Sequence, residues 1–426
     1  MKNSTLRLSL SLLFTFSALT MFAQRDQIQY LRFNDKRGIN IFETGKEDTI
    51  GFEGVKLRVG GDYALQFQSL DHSNDLVGDT LSELKSNINL PHANMSFDVQ
   101  LEDGIRVHLK VYLASRHKEQ PYVKGGYLQV DKLDFIKPGF LGGIMKVTTL
   151  KIGYDEINYG DTHFRRSDGA RALYNPFVGN YIMDAFTTEP HFEVTVQDMG
   201  FIGVAGISNG KLDQSVKVEP GPFGNDSGIA LYGKVGYDKQ VNSDLRVRMT
   251  GSIYSSTEAN TFDHLYFGDR TGGRYFHVMD GENDVAEDDF LPRYNPGFRR
   301  QTAYQINPFV KYKGVEFFGV LEQTSNGDDE IGGDYTQLGA ELIYRFGGSE
   351  NLFFGGRFNS IDGENSDLSQ SREILRFNVG GGWFLTKNVA LKGEYVRQEY
   401  DGDGWAGTKF QGGEFDGFML EAAISF

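Results

Sequence analysis

Residues 162 to 181, THFRRSDGARALYNPFVGNY, gather one histidine, three arginines and a run of aromatics. Guanidinium groups present paired donors at any physiological pH, so Arg165, Arg166 and Arg171 suit phosphate, sulfate or carboxylate. The alternative chemistry is internal: the same arginines could pair with Asp161, Asp168 and Asp184 and stiffen the segment. A second stretch, DGENDVAEDD at 280 to 289, offers Ca²⁺ the hard oxygens of Asp280, Glu282, Asp284 and Asp288. It lacks the sixth-position glycine of an EF-hand loop, and a solvated acidic loop is the competing account. Gly206-Ile207-Ser208-Asn209-Gly210 satisfies G-x-S-x-G, yet a polar, proline-bearing loop follows where a hydrolase needs a helix. No HExxH, P-loop or paired-cysteine motif occurs, so no enzyme is expected.

The elements that must position these residues read as strands. From Val55, VKLRVGGDYALQFQ sets Val55, Leu57, Val59, Tyr63, Leu65 and Phe67 on one face and Lys56, Arg58, Asp62, Gln66 and Gln68 on the other. HANMSFDVQLE repeats this period of two, and Asp103-Gly104 turns it into IRVHLKVYL. The pattern returns as IALYGKVGY, LRVRMTGSI, LGAELIYRF, LFFGGRF, LRFNVGGGWFL, VALKGEYV and FMLEAAISF, with weaker segments between. Together they predict about sixteen strands, an even count within the range of outer-membrane barrels. Links after the second, sixth, eighth, tenth, twelfth and fourteenth strands are short, such as EDG, KQVNS, KG, GGSEN and TKN, while those after odd strands are long, reaching 156–189 and 256–299. A barrel with a trimmed periplasmic rim and a functional outer rim sorts its loops this way. Closure also satisfies every backbone donor and acceptor, which hydrocarbon demands. The expected fold is all-β, a transmembrane antiparallel β-barrel over 55–426.

Residues 1–23 carry Lys2, Arg7 and the apolar run LSLSLLFTFSALTMFA, and read as a secretory signal peptide. Residues 24–54 are mostly polar and read as a periplasmic lead segment, with room for a short strand at INIFET or a small luminal plug. Without cysteine there is neither a lipid-attachment thiol nor a disulfide framework. Removing the leader takes the formal charge from -15 to -17, which argues against a nucleic-acid partner. The 53 glycines and 34 phenylalanines against 10 prolines suit strands whose two faces meet different solvents.

The faces assigned to the lumen carry Lys56, Arg58, Arg106, Lys110, Arg246, Arg248, Arg345, Arg357 and Arg376, opposed by Asp62, Asp98, Glu316, Glu341 and Glu394 among others. This wall is mixed and leans slightly basic, so a weak anion preference is expected. The leader, the amphipathic strands, a first strand of the form VKLRVGGDYALQFQ and a terminal Phe426 together resemble Bacteroidota-type outer-membrane porins related to the phosphate-selective porin O/P group. The resemblance implies an outer-membrane pore passing small hydrophilic solutes by diffusion. It also implies assembly by the barrel machinery that reads the terminal Phe, contact with bilayer and lipopolysaccharide, and a homotrimer as an admissible assembly. By the same resemblance, the loop between the fifth and sixth strands, 156–189, folds into the lumen as a constriction. There Arg165, Arg166 and Arg171 would supply fixed charge, with Tyr174, Phe177 and Tyr181 packing the loop to the wall. Asn175-Pro176 predicts a short helix over FVGNYIMDAF. The rivals are a non-channel barrel, serving as adhesin or subunit of a surface complex, and a barrel lipase using Ser208 with His108 or His191.

Overall fold

Period-two alternation becomes the wall of a barrel. In the computed structural model, β1 (Lys56–Ser73) turns Leu57, Val59 and Tyr63 outward and buries Asp62, Gln66 and Gln68. The structure describes residues 28–48, 50–78, 81–114, 121–210, 228–256, 265–266, 275–281, 292–298, 300–327, 330–366 and 369–426. Residues 1–23, expected to be a signal peptide, and Glu282, Asp284 and Asp288 lie outside them. The wall continues through β2 (Asn87–Ile88), β3 (His92–Glu102), β4 (Ile105–Ala114), β5 (Tyr122–Val130), β6 (Thr148–Glu156), β7 (Thr188–Asp198) and β8 (Phe201–Ser208). It runs on as β9 (Ala230–Gln240), β10 (Leu245–Ser256), β11 (Gln301–Tyr312), β12 (Val315–Asn326) and β13 (Asp334–Phe346). The last strands are β14 (Leu352–Glu364), β15 (Arg372–Thr386), β16 (Val389–Asp401) and β17 (Glu414–Ser425).

Neighbours pair antiparallel, and β1 closes the ring by pairing with β17 on one side and β3 on the other, as in Asp62↔Ser425 and Lys56↔Gln100. Apart from the two-residue β2, which adds onto Phe67 and Gln68 of β1, sixteen strands make the wall. Closure leaves no strand edge, so backbone polar groups are satisfied within the sheet and the outside can be apolar. Phe354, Phe418 and Leu420 are accordingly more than half exposed, and Tyr312, Tyr344, Phe346 and Trp383 stand outward near the short-turn rim. Such an aromatic girdle is what a membrane interface selects. No described helix is long and apolar enough to cross a membrane.

The short turns follow local chemistry. Gly104 holds φ +73 between β3 and β4, a left-handed turn position that a side chain would strain. One link on this rim breaks the parity rule: residues 131–147, between β5 and β6, form a longer excursion with a four-residue helix α1 (Gly142–Met145). Two other expectations fail locally. INIFET forms no strand, and a 3-10 turn at Lys36–Gly38 precedes it. FVGNYIMDAF forms no helix, for a reason that belongs to the lumen.

Candidate functional site

The loop from β6 to β7 crosses the lumen. Every residue from 157 to 187 except Phe164 and Arg171 is buried. A helix would satisfy its own backbone; here the wall does so instead, which is why Asn175-Pro176 starts none. Asn175 accepts from the Phe177 N–H at 3.0 Å, a local Asx turn. Glu394 of β16 accepts from the N–H groups of Val178 at 2.8 Å and Gly179 at 3.3 Å. Asn359 and Gln337 accept from Ile182 and Met183, at 2.6 and 3.0 Å. Lys392 donates to the carbonyls of Ala172, Asn175 and Phe177 at 2.8, 3.1 and 2.9 Å. Phe177 and Tyr181 then pack under the guanidinium of Arg357, each 4.6 Å from it.

The three arginines all meet carboxylates. Arg165 reaches across to Glu316 at 2.8 Å and Glu341 at 2.9 Å, on β12 and β13. Arg166 clasps Asp184 within the loop, with Nε and Nη2 both donating, the closer at 2.6 Å. Arg171 approaches Glu156 at 3.3 Å and Asp168 at 3.8 Å. Asp168 in turn receives Lys110 at 2.8 Å and Lys124 at 2.5 Å from β4 and β5. Asp161 leaves the loop for β9 and β10, receiving Lys234 at 2.9 Å and Arg248 at 2.7 Å. Tyr174 donates to the Phe33 carbonyl and lies 4.0 Å under the guanidinium of Arg32.

That last contact comes from the lead segment, which lies across the short-turn rim as a floor inside the barrel. Lys36 donates its N–H to the Lys387 carbonyl at 2.7 Å, and Asn34 donates to Asp62 at 2.9 Å. Asn40 donates to Glu316 at 2.6 Å and accepts from Arg165. Glu43 takes Lys234 at 3.2 Å and Arg248 at 2.8 Å, the two cations that also hold Asp161. Burial raises the Glu43 carboxyl, but Lys234 and Arg248 more than offset it and hold its pKa at about 2. Floor and loop thus share their anchors.

Between the loop, the floor and the wall of β1 and β3–β7 a cavity of about 190 Å³ remains. Arg32, Arg58, Arg106, Lys110, Lys151 and Arg171 face Glu43, Asp62, Asp98, Asp155, Glu156 and Glu193 around it, a balanced lining. Most pairs close within the wall: Arg58 and His108 on Asp98 at 2.9 and 2.8 Å, and Lys151 on Asp155 at 3.1 Å. His163 borders the cavity, with Nε2 3.1 Å from Asn158; burial, reinforced by Lys234, lowers its pKa to about 3, so it is neutral. A second cavity of about 610 Å³ opens at the short-turn rim under the floor. It is lined by Lys36, Arg246, Lys311, Lys313 and Arg345 against Asp244 and Glu350.

Of the other lumen cations expected, Lys56 pairs with Glu53 at 3.0 Å, Arg246 with Asp238 at 2.7 Å, Arg345 with Glu316 at 2.9 Å and Arg357 with Glu341 at 2.7 Å. Arg106 donates to Gln129 at 2.6 Å, and Arg376 donates to Gln398 at 2.5 Å and to the Asn180 carbonyl at 2.7 Å. Ser208 ends β8 facing the lumen, opposite His191 in register, and its Oγ donates to Glu189. His191 turns Nδ1 to the Glu189 carbonyl, and His108 is engaged with Asp98, so neither is hydrogen-bonded to Ser208. Asp280 lies 2.9 Å from His277, and among the described residues no cluster of three or more metal-ligating side chains occurs. Sequence reasoning missed the inward carboxamides Gln337 and Asn359, and all of the lead residues Arg32, Asn40 and Glu43. The carboxamides had a signal, since both occupy lumen positions of alternating strands; the lead residues had none.

No family model and no curated protein matches the chain. Among solved structures, a loop L8 deletion mutant of OmpT, an outer membrane protein of Vibrio cholerae, aligns at 11% identity and TM-score 0.50. The alignment covers 88% of this chain and 100% of that one. The trimer form of in-vitro folded OmpT from the same organism aligns at 12% identity and TM-score 0.50, with 88% and 100% covered. An anion-selective porin from Comamonas acidovorans gives 12% identity, 87% and 100% coverage and TM-score 0.49. At such identities the likeness is one of fold: the chain is a closed antiparallel barrel of the outer-membrane kind.

Proposed function

We propose that this chain is an outer-membrane porin through which small hydrophilic solutes diffuse, with a weak preference for anions. The observation that carries this reading is the charged cavity between loop 157–187 and the wall of β1 and β3–β7. Its cations and anions compensate one another, so water and ions meet a polar surface without a net barrier. Preference arises at the short-turn mouth, where five cations outnumber two carboxylates and raise the local concentration of anions. In this reading Arg165, Arg166 and Arg171 set the constriction by fixing the loop, helped by Tyr174, Phe177 and Tyr181. The short-turn rim faces the periplasm. Kinship with the phosphate-selective porin O/P group rests on the leader, first strand and terminal Phe426. A homotrimer, the form in which OmpT of V. cholerae has been solved, is the assembly we assign. Ser208 is given no catalytic role, because its hydroxyl is held by Glu189.

A second reading, a closed non-channel barrel, draws on the near-complete burial of loop 157–187. Planar-bilayer recording of the folded protein separates the two. The pore reading expects small, reproducible, ohmic steps whose reversal potential in a KCl gradient shifts modestly toward chloride. Folded protein that gives no steps leaves the closed barrel standing.

A further inference from the structure

Of the described turns of the short-turn rim five are polar, the two-residue turn between β7 and β8 exposes Met199, and the link between β5 and β6 is the longest and carries the most apolar side chains. Within 131–147, Phe135, Ile136, Leu141 and Ile144 are 58%, 56%, 47% and 58% exposed. The strands it joins are short: β5 and β6 have nine residues each, whereas β13 and β14 have thirteen. The shortfall lies at their far ends, because at this rim Val130 stands opposite Ile105 and Thr148 opposite Val196, level with the neighbouring turns. The link joins two strands whose outer face is apolar, as the exposed Val123 and Ile152 show.

The link also carries Lys132, Lys137 and Lys146, with Lys137 and Lys146 exposed, in a chain whose formal charge is -15. Of its two acids, Asp131 is paired with Lys46 at 2.6 Å and Asp134 accepts from the Gly139 N–H at 2.5 Å, while Lys132 is paired with Asp103 at 2.8 Å, which leaves Lys137 and Lys146 for the headgroups. We infer that this link is an interfacial anchor that lies in an anionic phospholipid leaflet, its apolar side chains among the upper acyl chains and its lysines at the headgroups. Aromatic and aliphatic side chains flanked by lysine suit that boundary, where ammonium groups reach up to phosphate. A second copy of the chain fits less well, because it would bring the same lysines against each other. The anchor is independent of whether the lumen conducts.

The chain has no cysteine, so single-site labelling is clean. Ile144→Cys and, in the polar turn between β9 and β10, Asp244→Cys each replace an exposed side chain. Each is given a nitroxide label and reconstituted as full chain in vesicles of phosphatidylethanolamine and phosphatidylglycerol. The label at 144 is expected to relax more with oxygen than with a water-soluble nickel chelate, and the label at 244 the reverse. A label at 144 that meets the nickel chelate as freely as the one at 244 overturns the anchor. Exclusion of both relaxants with spin–spin broadening overturns it in favour of contact between copies. Replacing phosphatidylglycerol by phosphatidylcholine is expected to make the 144 label shallower; an unchanged depth overturns the anionic class of lipid.

Discussion

The two halves of the lumen apply one sequence pattern to opposite ends. Along β12–β16 the inward polar side chains grip loop 157–187, much of it by its main chain: Glu394, Lys392, Asn359 and Gln337 all bond to backbone atoms. Along β1 and β3–β6 they largely satisfy one another, as Arg58 and His108 do on Asp98 and Lys151 on Asp155. A wall that pairs with itself needs no guest and keeps a cavity; a wall whose partners lie on the loop draws the loop in. Inward charge therefore does not by itself mean open water. What decides is whether the complementary group is on the next strand or on an entering segment.

The largest change is expected from removing the floor. Deleting residues 28–48 leaves every strand pairing intact but strips Lys234 and Arg248 of Glu43, and Arg165 of Asn40. Asp161 still compensates the two cations, so the barrel should fold, while single-channel conductance rises several-fold in planar bilayers. An unchanged conductance would mean that the constriction is set by the loop alone.

Next in size is Asp168→Asn, which acts where the two halves meet. Asp168 is the shared anion of Lys110, Lys124, Arg166 and Arg171, so its loss leaves four cations facing one another. Removing one member of a buried ion cluster typically costs about 3–5 kcal/mol. Urea unfolding in detergent should read a loss of that order, and proteolysis should find the loop between 157 and 187 newly accessible. If neither changes, the gripping half alone holds the loop.

The wall was legible in the sequence because alternation is local: Leu57, Val59 and Tyr63 against Asp62 and Gln66 can be sorted within a dozen residues. Loop parity was legible for the same reason, and it failed only at 131–147. The lumen was not legible. Arg165 meets Glu316 and Glu341 at separations of 151 and 176 residues, and no local pattern encodes which carboxylate a guanidinium will find. The expectation of pairing with Asp161, Asp168 and Asp184 named partners near in sequence; Arg166 with Asp184 is of that kind, while Asp161 went to the wall. Asn175-Pro176 suggested a helix because propensity assumes a backbone that must satisfy itself, whereas Glu394 and Asn359 supplied acceptors from outside.

A smaller effect tests the comparison through selectivity. Arg106→Gln removes one cation from the self-paired half and should shift the reversal potential modestly toward cations, since Arg106 lines the cavity. Arg376→Gln removes the same charge from the gripping half, where Arg376 donates to the Asn180 carbonyl. It should leave the reversal potential where it was and loosen the loop instead. Equal shifts in the two variants would show that solute samples both halves.

The smallest expected effect is a pH dependence carried by His163, on the loop at the border between the halves. Its folded pKa of about 3 lies below the ordinary 6.5, because burial and Lys234 disfavour the imidazolium, with Glu156 only partly offsetting them. A base whose folded pKa is depressed contributes stability that is intact above about 6.5 and is lost as pH falls toward about 3. Loop retention, read as protection of 157–187 from protease, should therefore be flat from pH 8 to about 6.5 and weaken progressively below it. His163→Gln keeps a side chain able to hydrogen-bond Asn158 and cannot ionise, so it should flatten the part of the acid limb that belongs to the histidine. An identical limb in the variant would assign the acid sensitivity to carboxylates of the wall, with the histidine a bystander in the grip.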